Sequence, residues 1–445
     1  MKLRLNTWQT IRVGFAFLAI CAFWQMYNNI IPLILTNTFE MNESFSGVIM
    51  AADNILALFL LPFFGSLSDK CNTRFGKRKP FILGGTVAAV FLMLLIPFMD
   101  NTYFKNPKTA IEIIFVCILG CLLVAMGTYR SPAVALMPDV TPKPLRSKAN
   151  AIINLMGALG GIIYLIVAAV LYPASKTENV EHVDYLPMFL VVAGIMIISL
   201  CIVMFAVDEV RLNAKMLDYE KEHPEENLAE ETEDHKEKLP TDVKRSLAFL
   251  LCSIALWFMG YNAMETWFTV YADEMWNMKV GAASICLTIA TLGAIISYIP
   301  SGLVASKIGR RKTIMGGVVV LAMCFFGGFL YTLFFDEFHK PLYILFAFVG
   351  VAWAFINVNS LPMVLEMCKG SEVGRFTGFY YTFSMAAQIV TPILAGTLLG
   401  NVSYMTLFPY CAIFVMLSFV TMLFVKHGDA RVEAKRGLEA FEDMD

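Results

Sequence analysis

The stretch Gly65-Ser-Leu-Ser-Asp69-Lys70-Cys-Asn-Thr-Arg-Phe-Gly76-Lys-Arg-Lys79 separates two long apolar runs. A shorter version, Gly302-Leu-Val-Ala-Ser306-Lys307-Ile-Gly309-Arg-Arg-Lys312, separates two others later in the chain. A glycine-bearing basic turn between apolar segments predicts a short connection held on one side of a membrane, because Lys and Arg beside a span resist translocation. Working outward from these turns, apolar runs bounded by charges predict twelve spans: 13–37, 45–67, 80–99, 111–136, 148–172, 186–207, 246–271, 281–304, 313–335, 341–366, 375–399 and 403–425. The two quoted turns follow the second and eighth of these.

Composition agrees. Of 445 residues, 58% are hydrophobic and 16% charged, with a mean hydropathy of +0.65. A bilayer core takes about 20 residues of helix, so twelve spans absorb roughly 250 residues and leave little for a soluble domain. The runs are continuous, whereas a membrane β-barrel shows roughly ten-residue segments of alternating polarity. The fold class is therefore an all-α polytopic membrane protein. A net charge of −2 carries no nucleic-acid footprint. The ten cysteines lie almost all in apolar runs without a C-x-x-C pair and read as small core residues. The first run is too long for a signal-peptide core and is expected to remain in the mature protein.

The basic residues set the expected orientation. With the N-terminus inside, inner loops carry Lys70, Arg74, Lys77, Arg78 and Lys79, then Lys143, Arg146 and Lys148, then Lys307, Arg310, Arg311 and Lys312. Outer loops carry only Lys105, Lys108, Lys176, Lys279 and Lys340. Both termini are expected in the cytoplasm and the protein in the cell membrane. The expected organisation is a six-helix half at 1–207, an acidic cytoplasmic linker at 208–245, a second six-helix half at 246–425 and a cytoplasmic tail at 426–445. Glu209 to Lys221 within the linker is expected as a surface helix, and the acid-rich remainder as a solvated tether.

The halves are alike beyond the quoted turns. The fourth and tenth spans each hold a proline (Pro132, Pro362), end on a carboxylate (Asp139, Glu366), and precede a basic turn at Arg146 and Arg375. Two related six-helix halves predict a transporter whose site lies between them near mid-membrane.

These residues resemble the major facilitator superfamily, whose loop signature is G-x-x-x-D-R/K followed by G-R/K-R/K-R/K. The longer form at Gly65–Lys79 resembles the glycoside-pentoside-hexuronide:cation symporter group, closest to the sucrose/proton symporter-like sugar transporters. Ser131-Pro-Ala-Val-Ala-Leu-Met-Pro-Asp139 followed by Arg146-Ser-Lys-Ala-Asn-Ala151 is similar to that group's fourth-helix pattern. The resemblance implies a small glycoside, sucrose- or maltose-like, carried by alternating access with a coupling ion. It also implies a gating loop, in which Asp69 bonds Arg78 and accepts hydrogen bonds from the start of the eleventh helix. Asp139, Arg146, Glu366 and Arg375 join it as capping and pairing residues at the same end.

A charge near mid-membrane is costly unless it is paired or faces water, so intramembrane charges are functional candidates. Asp53, twelve residues before Gly65, sits about 18 Å along its helix and is the first candidate for proton coupling. A buried structural acid is the alternative. Arg130 in the fourth span is a candidate fork for a carboxylate or for sugar hydroxyls. Substrate drawing Arg130 away from Asp53 would free the acid to take a proton. Glu265 in the seventh span is either a second titrating group or a packing carboxylate. Substrate contacts are expected among Trp24, Gln25, Asn28, Asn54, Arg130, Asn154, Tyr261, Asn357, Asn359 and Gln388, since a sugar needs amides for its hydroxyls and aromatic faces for its C–H patches. Each of these amides is equally readable as an inter-helix hydrogen bond. Asn28 and Asn29 point about 100° apart, so one cavity takes only one of them.

Protons are favoured over sodium because Asp53 with Asn54 makes a poor sodium cage. No cofactor is expected. All five histidines lie in polar segments, leaving no intramembrane metal centre, and neither H-E-x-x-H nor G-x-S-x-G occurs, so an enzyme is not expected. Gly157-x-x-x-Gly161 and Gly396-x-x-x-Gly400 read as helix-packing sites. A monomer in the bilayer is expected, with a sugar and an ion as partners. The rival readings are a sodium-coupled carrier, an exporter of another small metabolite or drug, and a non-transporting membrane sensor.

Overall fold

A computed structural model describes residues 5–142, 145–177, 180–222, 240–367 and 373–429. Twelve of its helices are long and apolar enough to span a bilayer: Thr7–Thr38, Glu43–Asp69, Lys79–Lys105, Thr109–Val140, Lys148–Leu171, Leu186–Ala206, Thr241–Trp276, Val280–Ile308, Arg310–Phe334, Leu342–Leu365, Arg375–Asn401 and Tyr404–Leu423. They are called the first to twelfth spans. Several overrun their apolar runs, because polar caps and flanking turns prolong a helix past the hydrocarbon. The Asn6 side chain caps the first span by accepting from Gln9 N at 3.2 Å, and Asn42 caps the second by accepting from Ser44 N at 2.8 Å.

The chain divides into two compact units. One is Met1–Pro224 with Lys279–Ser284, and the other is Glu225–Met278 with Ile285–Asp445. In the first unit the first span packs on the fifth and sixth, and the third on the fourth and sixth. In the second unit the same pairs recur: seventh on eleventh and twelfth, ninth on tenth and twelfth. One close approach explains a sequence choice. A Cβ at Gly160 would strike the carbonyl of Leu18, so the first and fifth spans meet backbone to backbone there. Gly160, beside the expected Gly157 and Gly161, is the tightest of the three.

Large side chains point inward in each unit, among them Phe23, Tyr27 and Phe189 in the first and Trp257, Trp267 and Phe325 in the second. Others face outward at bilayer height, including Phe59, Phe91, Phe205 and Phe334, as expected where the surrounding medium is lipid.

Three readings change. The cysteines are not uniformly core: Cys286, Cys324 and Cys411 are buried, but Cys117, Cys121, Cys201 and Cys252 are exposed. An apolar run does not distinguish a helix's inner face from its lipid face. The third span continues past residue 99 to Lys105, carrying Asp100 inside the helix with no exposed surface. The linker helix forms at Glu209–Glu222, but its first residue is buried against the third span rather than solvated. Most of the acidic tether, 223–239, and the tail from 430 lie outside the described residues.

Candidate functional site

At the end of the first unit that carries the basic turn, Arg78 is the hub. Its side chain is 7% exposed and forms ion pairs with Asp69 and, at 2.6 Å from Nε, with Asp139. It also donates to Ser68 Oγ and to the carbonyl of Gly65. Burial opposes the charge on Arg78, but Asp139 and Asp69 outweigh it and raise its pKa above the ordinary guanidinium value. The carboxylate of Glu209 closes the cluster from the linker. Oε1 accepts from Lys77 N at 2.6 Å and Arg78 N at 2.9 Å, and Oε2 from Lys79 N at 3.1 Å. Three N–H groups at the start of the third span thus face one anion, where the helix dipole favours negative charge. Gly76, with φ of 111°, makes the turn, and a Cβ there would overlap the Glu209 carboxylate. Asn213 in the linker helix donates to the Asp139 carbonyl at 2.7 Å.

The second unit repeats the device. Asp429, shortly after the twelfth span, accepts from Arg311 N at 2.9 Å, and Gly309 has φ of 94°. Arg311 donates to the carbonyls of Met422 and Leu423, and Arg310 forms an ion pair with Glu366. Arg375 lies over the ring of Phe379 at 5.4 Å. Arg146 turns onto the carbonyls of Thr141 and Pro138. The carboxylate that ends the fourth span is therefore paired with Arg78, at the start of the third span, rather than with the basic turn that follows it.

Deeper in the first unit, the Arg130 guanidinium sits 5.7 Å from the ring of Trp24, which meets Tyr27 edge-on at 5.4 Å. Asp53 lies within electrostatic reach of the Tyr27 hydroxyl. Its Oδ1 accepts from the backbone N–H of Asn54 at 2.6 Å and from Asn54 Nδ2 at 2.8 Å. Asp53, Asn54, Gln25, Asn28, Arg130 and Asn154 are all half-buried. Asn29 instead is fully buried and donates to the Gln25 carbonyl at 2.6 Å, so Asn28 is the asparagine with an accessible side. Trp24 Nε1 and Tyr27 Oη are buried without a hydrogen-bond partner among the described residues.

In the second unit Tyr261 stacks on Trp353 at 3.7 Å and 6°, and Phe258 packs edge-on against the same indole at 5.3 Å. Glu265 and Tyr298 lie within electrostatic reach of Tyr261. Trp257 Nε1 and Asn262 Nδ2 are buried and unpartnered among the described residues. Asn359 donates to Ser301 Oγ and to the Phe355 carbonyl, both at 2.9 Å. This spends its amide on joining the tenth span to the eighth. The Asn357 side chain is buried, while Gln388 in the eleventh span is half-buried.

Reading the sequence alone missed Glu209, Asp429 and Trp353. The first two follow the last span of each half in charged stretches with no motif around them, so only their distant partners give them a role. Trp353 stands in a continuous apolar run, where hydropathy does not mark which aromatic ring faces Tyr261.

The fold and these sites describe a polytopic helical protein of two repeated six-span bundles. The profile of the Major Facilitator Superfamily matches residues 13–276 and 274–442, and the chain belongs to that family. It is a multi-pass integral membrane transporter rather than an enzyme. It is 30% identical over 138 residues to the sucrose transport protein SUC3 of Arabidopsis thaliana, covering 28% of this chain and 23% of that one. It is 25% identical over 194 residues to the uncharacterized protein YqgE of Bacillus subtilis, covering 43% and 44%. The matched stretch thus spans about a quarter to under half of these relatives' length. Among solved structures, the inward-open xylose transporter XylE from E. coli superposes with a TM-score of 0.66 at 15% identity, covering 98% of both chains. A bacterial homologue of the iron transporter ferroportin does so with 0.69 at 11%, covering 94% and 99%. At such identities the likeness is one of fold.

Proposed function

We propose that this chain is a sugar/proton symporter, moving a small sucrose- or maltose-like glycoside across the cell membrane by alternating access, with both termini in the cytoplasm. The carrying observation is the pairing, in each unit, of aromatic faces with buried donors that the protein leaves unused: Trp24 Nε1 and Tyr27 Oη in one, Trp257 Nε1 and Asn262 Nδ2 in the other. Buried donors are ordinarily satisfied, and a polyol with apolar C–H patches supplies the acceptors and surface such a set lacks. The similarity to sucrose transport proteins points to the same class of substrate.

In this reading Asp53 binds the proton. It sits sixteen residues from Asp69 in the second span, about 24 Å from that end at 1.5 Å per residue. Arg130, held over Trp24, is the group through which substrate acts on it. With the sugar absent the guanidinium favours the ionised acid, and with Arg130 engaged by hydroxyls the acid takes a proton. Glu265 beside Tyr261 serves the second half, and the clusters around Arg78 and Arg311 brace the cytoplasmic end.

The test is uptake into proteoliposomes that contain a pH dye, with a panel of disaccharides and monosaccharides. Sugar-driven proton entry is expected, and Asp53→Asn is expected to lose it while retaining sugar exchange at equilibrium. Sodium-dependent uptake without proton movement, or normal coupling in Asp53→Asn, overturns the assignment.

A further inference from the structure

Among the described residues, Asp100 is the most deeply buried acid that the transport reading does not use. It lies 21 residues from Lys79 in the third span, about 32 Å from the basic turn at 1.5 Å per residue, so it belongs to the opposite end of the first unit. It has no exposed surface, and neither carboxyl oxygen has a hydrogen-bond partner of ordinary geometry among the described residues. The nearest ionisable group recorded against it is His182, whose Nε2 stands 3.6 Å from Asp100 Oδ2.

His182 is held in place. Its ring stacks on Phe104 at 4.4 Å and 11°, and Nε2 lies 2.8 Å from Asn101 Oδ1. Because that amide oxygen only accepts, Nε2 carries a hydrogen. Asn101 in turn donates to Asp184 Oδ1 at 2.8 Å, the oxygen that also accepts Leu186 N at the start of the sixth span. Tyr172, at the end of the fifth span, donates to the Asp184 carbonyl at 3.2 Å. A single network therefore runs from the buried acid through the 180–185 segment to the starts and ends of two further spans.

The groups facing the pair from neighbouring elements are few. Asp184 faces it from the segment before the sixth span, and the Thr38 hydroxyl from the end of the first. The aromatic rings of Phe104 and, through Asp184, Tyr172 complete the surroundings. No Lys or Arg is recorded against the pair among the described residues. A carboxyl group in such a setting holds its charge only if a cation is at hand, and a proton is the smallest means of neutralising it.

We propose that Asp100 and His182 form a proton-binding site, separate from Asp53, at the end of the first unit opposite its basic turn, and that the bound proton holds the 180–185 segment against the third span. Burial lowers the pKa of His182, with Asp184 opposing, so the imidazole gives up a second proton readily and stays neutral beside the acid. Loss of that proton leaves a bare carboxylate under the segment, and water must enter to solvate it.

The site is tested on the full chain in proteoliposomes, by infrared difference titration together with hydrogen exchange of residues 180–185. The native chain is expected to show a protonated-carboxyl stretch that disappears as pH rises, and exchange in the segment that quickens over the same interval beyond the intrinsic base-catalysed rate. Asp100→Asn is expected to lose the band and the extra pH dependence. His182→Gln, which leaves the acid in place, is expected to keep the band and shift the pH at which it vanishes. An unchanged band and unchanged exchange in Asp100→Asn overturn the proposal. So does a band in His182→Gln that titrates as in the native chain. If Asp100→Asn does not fold, His182→Gln decides alone. The readout requires neither sugar nor transport, so it stands or falls apart from the symport reading.

Discussion

Replacing Glu209 by alanine removes the acceptor for three backbone N–H groups at once. Two of them, on Lys77 and Arg78, share Oε1, and the third, on Lys79, uses Oε2. Loss of one helix cap costs about 1 kcal/mol, and a hydrogen bond to a charged acceptor about 1.5–3. Water can reach Lys77, which is exposed, more easily than Arg78 or Lys79, which are buried. Counting roughly one and a half charge-assisted bonds as lost without replacement gives about 3 kcal/mol. Glu209→Gln keeps an acceptor oxygen but gives up the charge at the helix start, a loss of about 1 kcal/mol. Thermal melting in detergent, followed by tryptophan fluorescence, is expected to rank native above Gln above Ala, with the Ala variant lower by several degrees. The same order is expected for protease access to the Gly65–Lys79 turn. Equal stability of native and Glu209→Ala, or a Gln variant as damaged as the Ala one, would falsify the capping argument.

Asp429→Asn removes the charge from a cap with one recorded N–H, on Arg311, so a smaller loss of about 1 kcal/mol is expected in the same melting assay. Trp353→Ala removes the ring on which Tyr261 stacks. If the pair faces sugar, the half-saturating concentration is expected to rise roughly tenfold, about 1.4 kcal/mol, with Phe recovering most of it. Uptake unchanged in Trp353→Ala separates the stack from the substrate. Arg130→Lys keeps the cation but loses the planar contact with Trp24. Uptake is expected to fall by about tenfold, and normal uptake in the Lys variant argues for a simple point charge.

Much of this protein is legible without coordinates. Membrane spans are long, continuous and apolar because lipid satisfies no backbone hydrogen bond, so each run announces a helix over its whole length. The repeated glycine turn at Gly76 and Gly309 was readable for a similar reason: the backbone at both positions takes a positive φ that only glycine adopts freely. What hydropathy could not separate is the direction a residue faces. Cys117 and Cys286 stand in equally apolar runs, yet one is exposed and the other buried. Asn28 and Asn29 are neighbours in sequence, and only one keeps an accessible side.

Partnership was the other thing that needed three dimensions. Asp139 lies seven residues before Arg146, yet the arginine it pairs with is Arg78, 61 positions away. Glu209 reads as one acid in a polar linker, and becomes the cap of a helix that begins 130 residues earlier. Asp100 reads as the charge that ends an apolar run, and the tertiary structure carries the helix past it and buries it beside His182. The sequence by itself determined the twelve helices, their division into two related bundles and the family, because these rest on local periodicity, hydropathy and short motifs. Beyond the Asp69–Arg78 pair within the motif, only the tertiary structure decided which charges meet, since those other pairs and caps are chosen by packing between spans that are far apart in the chain.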